Sequence, residues 1–234
     1  MEWHERDGVR WLEAELGGAR AAFSTRLGGV SEPPFDSLNL GLLTEDDEET
    51  VKENRHRLAA AFGFTPDQVV FARQVHGTEL IEHPADPREA DGHVIREPGI
   101  APLVFVADCL PVALAGPKGV AMVHAGWRGL AGGILEAGAE AVDATSAAIG
   151  PGIGPCCYEV GEEVLGAFSD LGDSVASGRM LDLPEVARQL LARTGVERVE
   201  SAGLCTSCEE ELLFSHRRDH GRTGRQAGIA WIEG

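Results

Sequence analysis

Three apolar runs between residues 102 and 124 leave little choice of connection. "PLVFVAD" (102–108), "VALA" (112–115) and "GVAMVH" (119–124) are separated by only a few residues each. Parallel neighbours need a crossover of roughly a dozen residues, so gaps this short demand antiparallel pairing. β-Branched, apolar composition bounded by turn residues reads as strands. "GPKG" (116–119) supplies a turn. A hairpin closed at Gly116 and Gly119 sets Pro111 opposite His124. Cys109 then lies on the face of Pro111, because strand side chains alternate with period two. Cys109 and His124 become diagonal cross-strand neighbours, within reach of one ligand or of each other. A slip of one residue would put them on opposite faces.

Elsewhere helical and strand patterns alternate. Residues 19–25 read as a strand. "TEDDEETVKENRHRLAAAFG" reads as a helix, with Val51, Leu58 and Phe62 at helical spacing, acidic residues at its start and Gly63 at its end. Further strands are expected over 69–74, 197–201 and 227–232, and helices near 130–146, 159–169 and 184–193. The mixture is α/β or α+β, and the hairpin-sized gaps exclude a purely parallel sheet. No repeat or Pro/Ser-rich linker interrupts the 234 residues, so a single domain over 1–234 is expected.

Charge narrows the partners. With 20 basic and 38 acidic residues the net charge is −18. Such a surface repels phosphate backbones and anionic lipid, so neither nucleic acid nor membrane is an expected partner. An anionic small substrate would need a local basic site. The start "MEWHERDGVRW" lacks the basic-then-apolar order of a signal peptide, and a cytoplasmic protein is expected. Five cysteines, an odd count, argue against a disulfide framework.

His76 in "FARQVHG", Cys109 and His124 all stand where apolar strands end, a usual place for functional side chains. Two imidazoles and a thiolate suit Zn²⁺ with a fourth position open. The same residue types equally suit a buried cysteine and two hydrogen-bonded histidines. "GPGIGPCCYEVG" (150–161) reads as a tight loop at the site's edge, with Cys156 and Cys157 as packing residues. Cys205-x₂-Cys208 and His216-x₃-His220 imitate a zinc finger. Only seven residues separate the pairs, against about twelve in the usual finger, so no zinc is expected between them. Arg217, Arg218, Arg222 and Arg225 read, for at least half of them, as a solvated basic stretch.

"TRLGGVSEPPFDSLNL", "QVHG", "ADG" (90–92), "ADCLPV", "HAGWRG", "GPGIGPCCYEVG" and "FSHRRDHGRTGRQA" together resemble the signature blocks of the YfiH-type, or laccase-domain, family. They run in the family's order over nearly the whole chain. His216 departs from the pattern, standing where the family usually has tyrosine. The resemblance implies an α+β fold, a layered α/β/β/α sandwich like the catalytic domain of the cytotoxic necrotizing factor toxin. It implies one Zn²⁺ on His76, Cys109 and His124. It also implies phosphorolysis of purine nucleosides (adenosine, inosine, guanosine, methylthioadenosine) to base and pentose 1-phosphate, with adenosine deamination at the same pocket. Phosphorolysis requires an anion site, for which Arg26 in "TRLGG" and Arg128 in "HAGWRG" are candidates. The start of a helix after Gly129 would add N–H donors. Asp91 and Asp108 are candidates to orient the imidazoles or contact ribose, and equally to be turn or cap residues.

Three other readings stand beside this one. A copper polyphenol oxidase, the family's older description, needs about a dozen ligands with His-x-His pairs. This chain has eight histidines and no such pair, although copper loaded in vitro would occupy an N/S site. A metal-free cysteine hydrolase would use Cys109 as nucleophile and His124 as base. A non-catalytic protein would keep the same residues as a structural zinc staple.

Overall fold

The structure, a computed structural model, describes residues 1–84 and 89–234. In chain order the strands are β1 (Glu2–Arg6), β2 (Val9–Glu15), β3 (Ala19–Ser24), β4 (Val69–Val70), β5 (Leu80–Glu82), β6 (Gly92–Ile95) and β7 (Ala101–Val106). There follow β8 (Leu110–Gly116), β9 (Gly119–Ala125), β10 (Ser146–Ile149), β11 (Ala176–Ser177), β12 (Met180–Leu181), β13 (Arg198–Ser201) and β14 (Gln226–Ile232). The α-helices are α1 (Glu48–Phe62), α2 (Trp127–Gly132), α3 (Ile134–Val142), α4 (Glu162–Ala167) and α5 (Leu183–Arg193).

One six-stranded sheet has the order β1-β2-β3-β14-β7-β4 and another β13-β10-β8-β9-β6-β5; β11 and β12 pair separately. Both large sheets mix parallel and antiparallel neighbours, so the class is α+β. Between them lies an apolar layer. Phe23, Val104 and Ala230 of the first sheet share it with Ala113, Val120, Met122 and Ala148 of the second. The alternate residues Val112, Leu114, Ala121 and Val123 face the other way, onto Leu130, Ile134, Leu135, Val186 and Leu191 of α2, α3 and α5. On the far side, Trp11, Ala22 and Ile229 bury Leu58 and Ala61 of α1. Helix, sheet, sheet and helix therefore stack as four layers. β8 and β9 are covered on both faces, which is why they read as almost unbroken apolar runs.

The hairpin has the register expected of it: Leu110 faces Ala125, Pro111 faces His124 and Gly116 faces Gly119. α1 begins where Asp47 accepts the Thr50 N–H at 2.9 Å, and ends at Gly63 in the left-handed region. Two expectations are corrected. The helix expected over 130–146 is two helices, broken at Gly133 with φ 93°. The strand expected over 69–74 stops after Val70. There the Gln74 side-chain amide takes over the pairing, donating to the Phe105 carbonyl at 2.8 Å and accepting its N–H at 2.7 Å.

Gly228 of β14 packs directly against the hairpin of the other sheet. A Cβ at that position would lie 2.5 Å from Pro111 Cβ and 2.7 Å from Met122 Cε. Gly228→Ala should therefore overpack the layer next to the partner of His124. Urea unfolding should show a loss of about 1–3 kcal/mol; unchanged stability would mean that the sheets separate freely here.

Candidate metal centre and active site

Asp91 assembles the centre. It is fully buried in the turn before β6. Its Oδ2 accepts the N–H groups of Val75 at 3.0 Å and Gly77 at 2.7 Å, and its Oδ1 accepts that of His76 at 2.9 Å. Those bonds fold residues 75–77 around the carboxylate and hold His76 at φ 60°. Asp91 Oδ1 also receives His124 Nδ1 at 2.7 Å, and the Asp91 carbonyl receives the His124 N–H at 2.7 Å. An ionised carboxylate can only accept, so Nδ1 carries the proton and Nε2 is left for a ligand.

The His76 and His124 rings meet edge to face with centroids 4.8 Å apart. Cys109, one residue before β8, sets its Sγ beside both imidazoles. The three donor atoms lie within 4.8 Å of one another; His76 is exposed, Cys109 half-buried and His124 buried, so the group opens to solvent on one side. Gly126 lies against it: a Cβ there would sit 2.9 Å from Cys109 Sγ and 3.3 Å from His76 Cδ2. Two nitrogens and a sulfur, converging beside a residue that leaves the space free, suit a transition-metal ion.

The electrostatics follow from this geometry. Burial pushes the Asp91 carboxyl up, but the His124 ring and the N–H groups of Gly77 and Val75 outweigh it and hold the group at about 2. Burial also opposes charge on Cys109 and His124. Each nevertheless favours the charged form of the other, so the thiol is drawn down and the imidazole up.

The other candidate residues divide. Asp108, with φ 91°, makes no hydrogen bond to an imidazole among the described residues. Its carboxylate accepts Thr206 Oγ1 at 2.6 Å, Ser215 Oγ at 2.7 Å and the Arg217 N–H at 2.6 Å, tying the 204–217 segment to the Cys109 turn. Arg26 is committed to the protein. Its guanidinium donates to the Asp36 carbonyl and carboxylate and to the Glu210 carbonyl, and lies over the Phe214 ring. The cavity beside it sets four acids, Asp36, Glu210, Glu211 and Asp219, against two arginines, Arg26 and Arg222, poor company for an anion. Arg128 is exposed, stacks on the Trp127 ring at 4.2 Å and has no hydrogen-bond acceptor among the described residues. The helix expected after Gly129 begins earlier, at Trp127, with Gly126 as its N-cap.

Sequence reasoning missed Tyr158. Its phenol is pushed up to about 12 by burial and by the Cys109 charge, and it lies near Arg128 and under Arg217. The signal was its place in the glycine-rich block beside Cys157. The packing role expected of Cys156 and Cys157 is also corrected. Cys156 is exposed, and its Sγ lies 3.4 Å from that of Cys208, while Cys157 Sγ lies 3.6 Å from it. The 150–161 and 205–208 segments meet through a parallel bridge between Gly152 and Cys205, which no local pattern reveals.

Fold and centre together define an α+β protein with a His/Cys/His donor set at the end of its central hairpin. A profile of the multi-copper polyphenol oxidoreductase laccase family matches residues 20–233, and the chain belongs to this YfiH-type family. It is 43% identical over 232 residues to the purine nucleoside phosphorylase YfiH of Shigella flexneri, covering 92% of this chain and 94% of that protein. It is 41% identical to the purine nucleoside phosphorylase PA4543 of Pseudomonas aeruginosa, covering 92% and 93%. Among solved structures it resembles the hypothetical protein YfiH of Bacillus licheniformis, with a TM-score of 0.88, 32% identity and 99% of each chain covered. YlmD of Geobacillus stearothermophilus gives 0.86 and 35%, covering 99% of this chain and 98% of that one.

The depressed Asp91 value carries a pH signature. Because the folded carboxyl titrates below its ordinary value, its stabilisation is complete above about pH 4 and is lost as pH falls through about 2. Wild-type protein should lose roughly 2 kcal/mol over that interval which Asp91→Asn does not lose. The variant should also be less stable near neutrality. Parallel stability profiles from urea midpoints would show that Asp91 is not the anchor described.

Proposed function

We propose that the chain is a zinc-dependent purine nucleoside phosphorylase, with adenosine deamination as a second reaction at the same centre. The observation that carries the proposal is the convergence of His76, Cys109 and His124, with an exposed Arg128 four residues after His124, in a chain whose relatives bear that name. Asp91 orients His124, and the open fourth position suits a catalytic rather than a structural zinc. The metal would supply Lewis acidity, stabilising negative charge that develops on oxygen or nitrogen.

The reaction joins a phosphate oxygen to C1′ as the C1′–N9 bond breaks. The bonding pair leaves with the purine, which takes a proton, giving free base and pentose 1-phosphate. Arg128 presents a planar guanidinium, its plane set by Trp127, to grip phosphate through two donors. Tyr158 stays protonated near neutrality and is available as a hydrogen-bond donor to the substrate. Arg26, bound by Asp36 and Glu210, instead holds the loop that carries it.

A second reading has a specific observation in its favour. Cys109, His124 and Asp91 form a nucleophile–base–carboxylate series, the arrangement of a metal-free cysteine hydrolase. The copper oxidase reading fares worse. Among the described residues, one metal-competent group contains imidazoles, and it offers three donors.

Zinc-loaded protein given inosine and millimolar phosphate should yield hypoxanthine and ribose 1-phosphate, identified by chromatography. Chelation should stop turnover, and Cys109→Ala should lose this zinc while remaining folded. Turnover that survives chelation but not thiol alkylation would favour the hydrolase. Arg128→Ala should raise the phosphate KM by roughly 10- to 150-fold, the equivalent of one charge-assisted hydrogen bond. Arg128→Lys should restore only part of this, since a point charge lacks the bidentate fork. An unchanged phosphate KM would remove Arg128 from the site.

A further inference from the structure

Four of the five cysteines stand outside the centre described above. Cys156 and Cys157 sit in the loop after β10; Cys205 and Cys208 sit in the segment that Asp108 holds through Thr206. Their four sulfurs lie within 4.8 Å of one another, with Cys208 Sγ 3.4 Å from that of Cys156 and 3.6 Å from that of Cys157. A tetrahedral zinc with bonds of ~2.3 Å places its thiolate sulfurs about 3.8 Å apart. A disulfide would need ~2.05 Å, so all four are free thiols. In a polynuclear iron–sulfur cluster the four sulfurs are divided among different irons, and those on different irons would stand farther apart.

The backbone is shaped around this group. Cys205-x₂-Cys208 is the spacing of a zinc knuckle, and residues 205–209 make a turn in which the Cys208 and Glu209 N–H groups donate to the Cys205 carbonyl. Cys205 Sγ accepts the Gly154 N–H at 3.3 Å. N–H donors aimed at a sulfur favour thiolate. A Cβ on Gly154 would lie within 3.3 to 3.6 Å of Cys205 and Cys156 atoms, so the loop passes close over the group because that residue is glycine.

We propose that Cys156, Cys157, Cys205 and Cys208 bind a second, structural zinc ion. It fastens the 150–161 loop, which carries Tyr158, to the 204–217 segment, whose Thr206, Ser215 and Arg217 hold the turn before Cys109. His216 and His220, the other half of the finger-like spacing, lie outside the four-sulfur group.

Metal analysis of protein reconstituted with zinc and freed of excess tests this. Wild-type chains should hold two zinc ions, Cys109→Ala one and Cys208→Ser one. Should Cys208→Ser fail to fold, Cys109→Ala reconstituted with cobalt leaves the cluster intact. It should then show the intense visible bands and charge-transfer absorption of tetrahedral cobalt tetrathiolate. Zinc should also slow the reaction of these thiols with Ellman's reagent at least tenfold. One zinc in the wild type, lost with Cys208→Ser and kept by Cys109→Ala, would support this site and sink the catalytic centre instead. Cobalt-loaded Cys109→Ala without the tetrathiolate spectrum would overturn the proposal. So would a Cys156–Cys208 or Cys157–Cys208 disulfide, found by mass spectrometry in zinc-supplemented protein.

Discussion

A carboxylate buried without partners would cost several kcal/mol, so Asp91 exists where it does only because four N–H groups converge on it. That requirement organises the region. Three of the donors are consecutive backbone amides, which forces residues 75–77 to wrap around the carboxylate and fixes where His76 emerges. The fourth is the His124 ring, whose tautomer and orientation are thereby set. Asp91 also lies on the backbone ladder between β6 and β9, through its carbonyl and the His124 N–H. The side chain that orients the imidazole is thus rigidly attached to the strand next to it.

The remaining ligand comes from the hairpin. In β9, His124 has the parity of Val120 and Met122, whose side chains fill the layer between the sheets. In β8, Pro111 and Ala113 share that face, and Cys109 precedes them by the same period. The centre is therefore the open end of the layer between the sheets, at the point where apolar filling gives way to donors. Gly228 lets the neighbouring sheet close over Pro111, and Gly126 keeps the space over Cys109 and His76 free of side chains. The architecture supplies a dry wall on one side of the donors and solvent access on the other.

This division explains what could be read from the residues beforehand. The Cys109–His124 relation was legible because a two-residue turn and strict alternation fix a hairpin register locally. The end of α1 was legible for a similar reason, with Gly63 announcing it, whereas the run of acids before Thr50 marked its start only to within a turn. The broken helix was only half legible: "GGI" at 132–134 marks the break, but the apolar spacing runs across it. His76 could be suspected but not placed, because its position rests on bonds from a carboxylate fifteen residues away. The four thiols were illegible as a group. Each pair makes sense in its own loop, and only the Gly152–Cys205 bridge, which spans some fifty residues, brings the pairs together.

The charge distribution bears on how so acidic a chain could receive an anion. A net charge of −18 sets a repulsive field at long range. At physiological salt that field is screened over about 8 Å, so the groups lining a site decide what enters it. Most of the arginines are not available for this. Arg20 is shared by Glu13 and Glu233, Arg96 is paired with Glu82, Arg193 with Asp170 and Arg218 with Asp219. Arg55 is half-buried, donating to the Leu40 carbonyl and lying over Phe71 and Phe105, and the loss of solvent pushes its guanidinium down. Where neighbouring acids neutralise most of the cations, one left exposed and stacked on a tryptophan has positive charge to spare. Arg128 is such a residue, and it lies two positions after Gly126, which borders the donor set. Local composition, not the overall field, is what makes an anion site compatible with this surface.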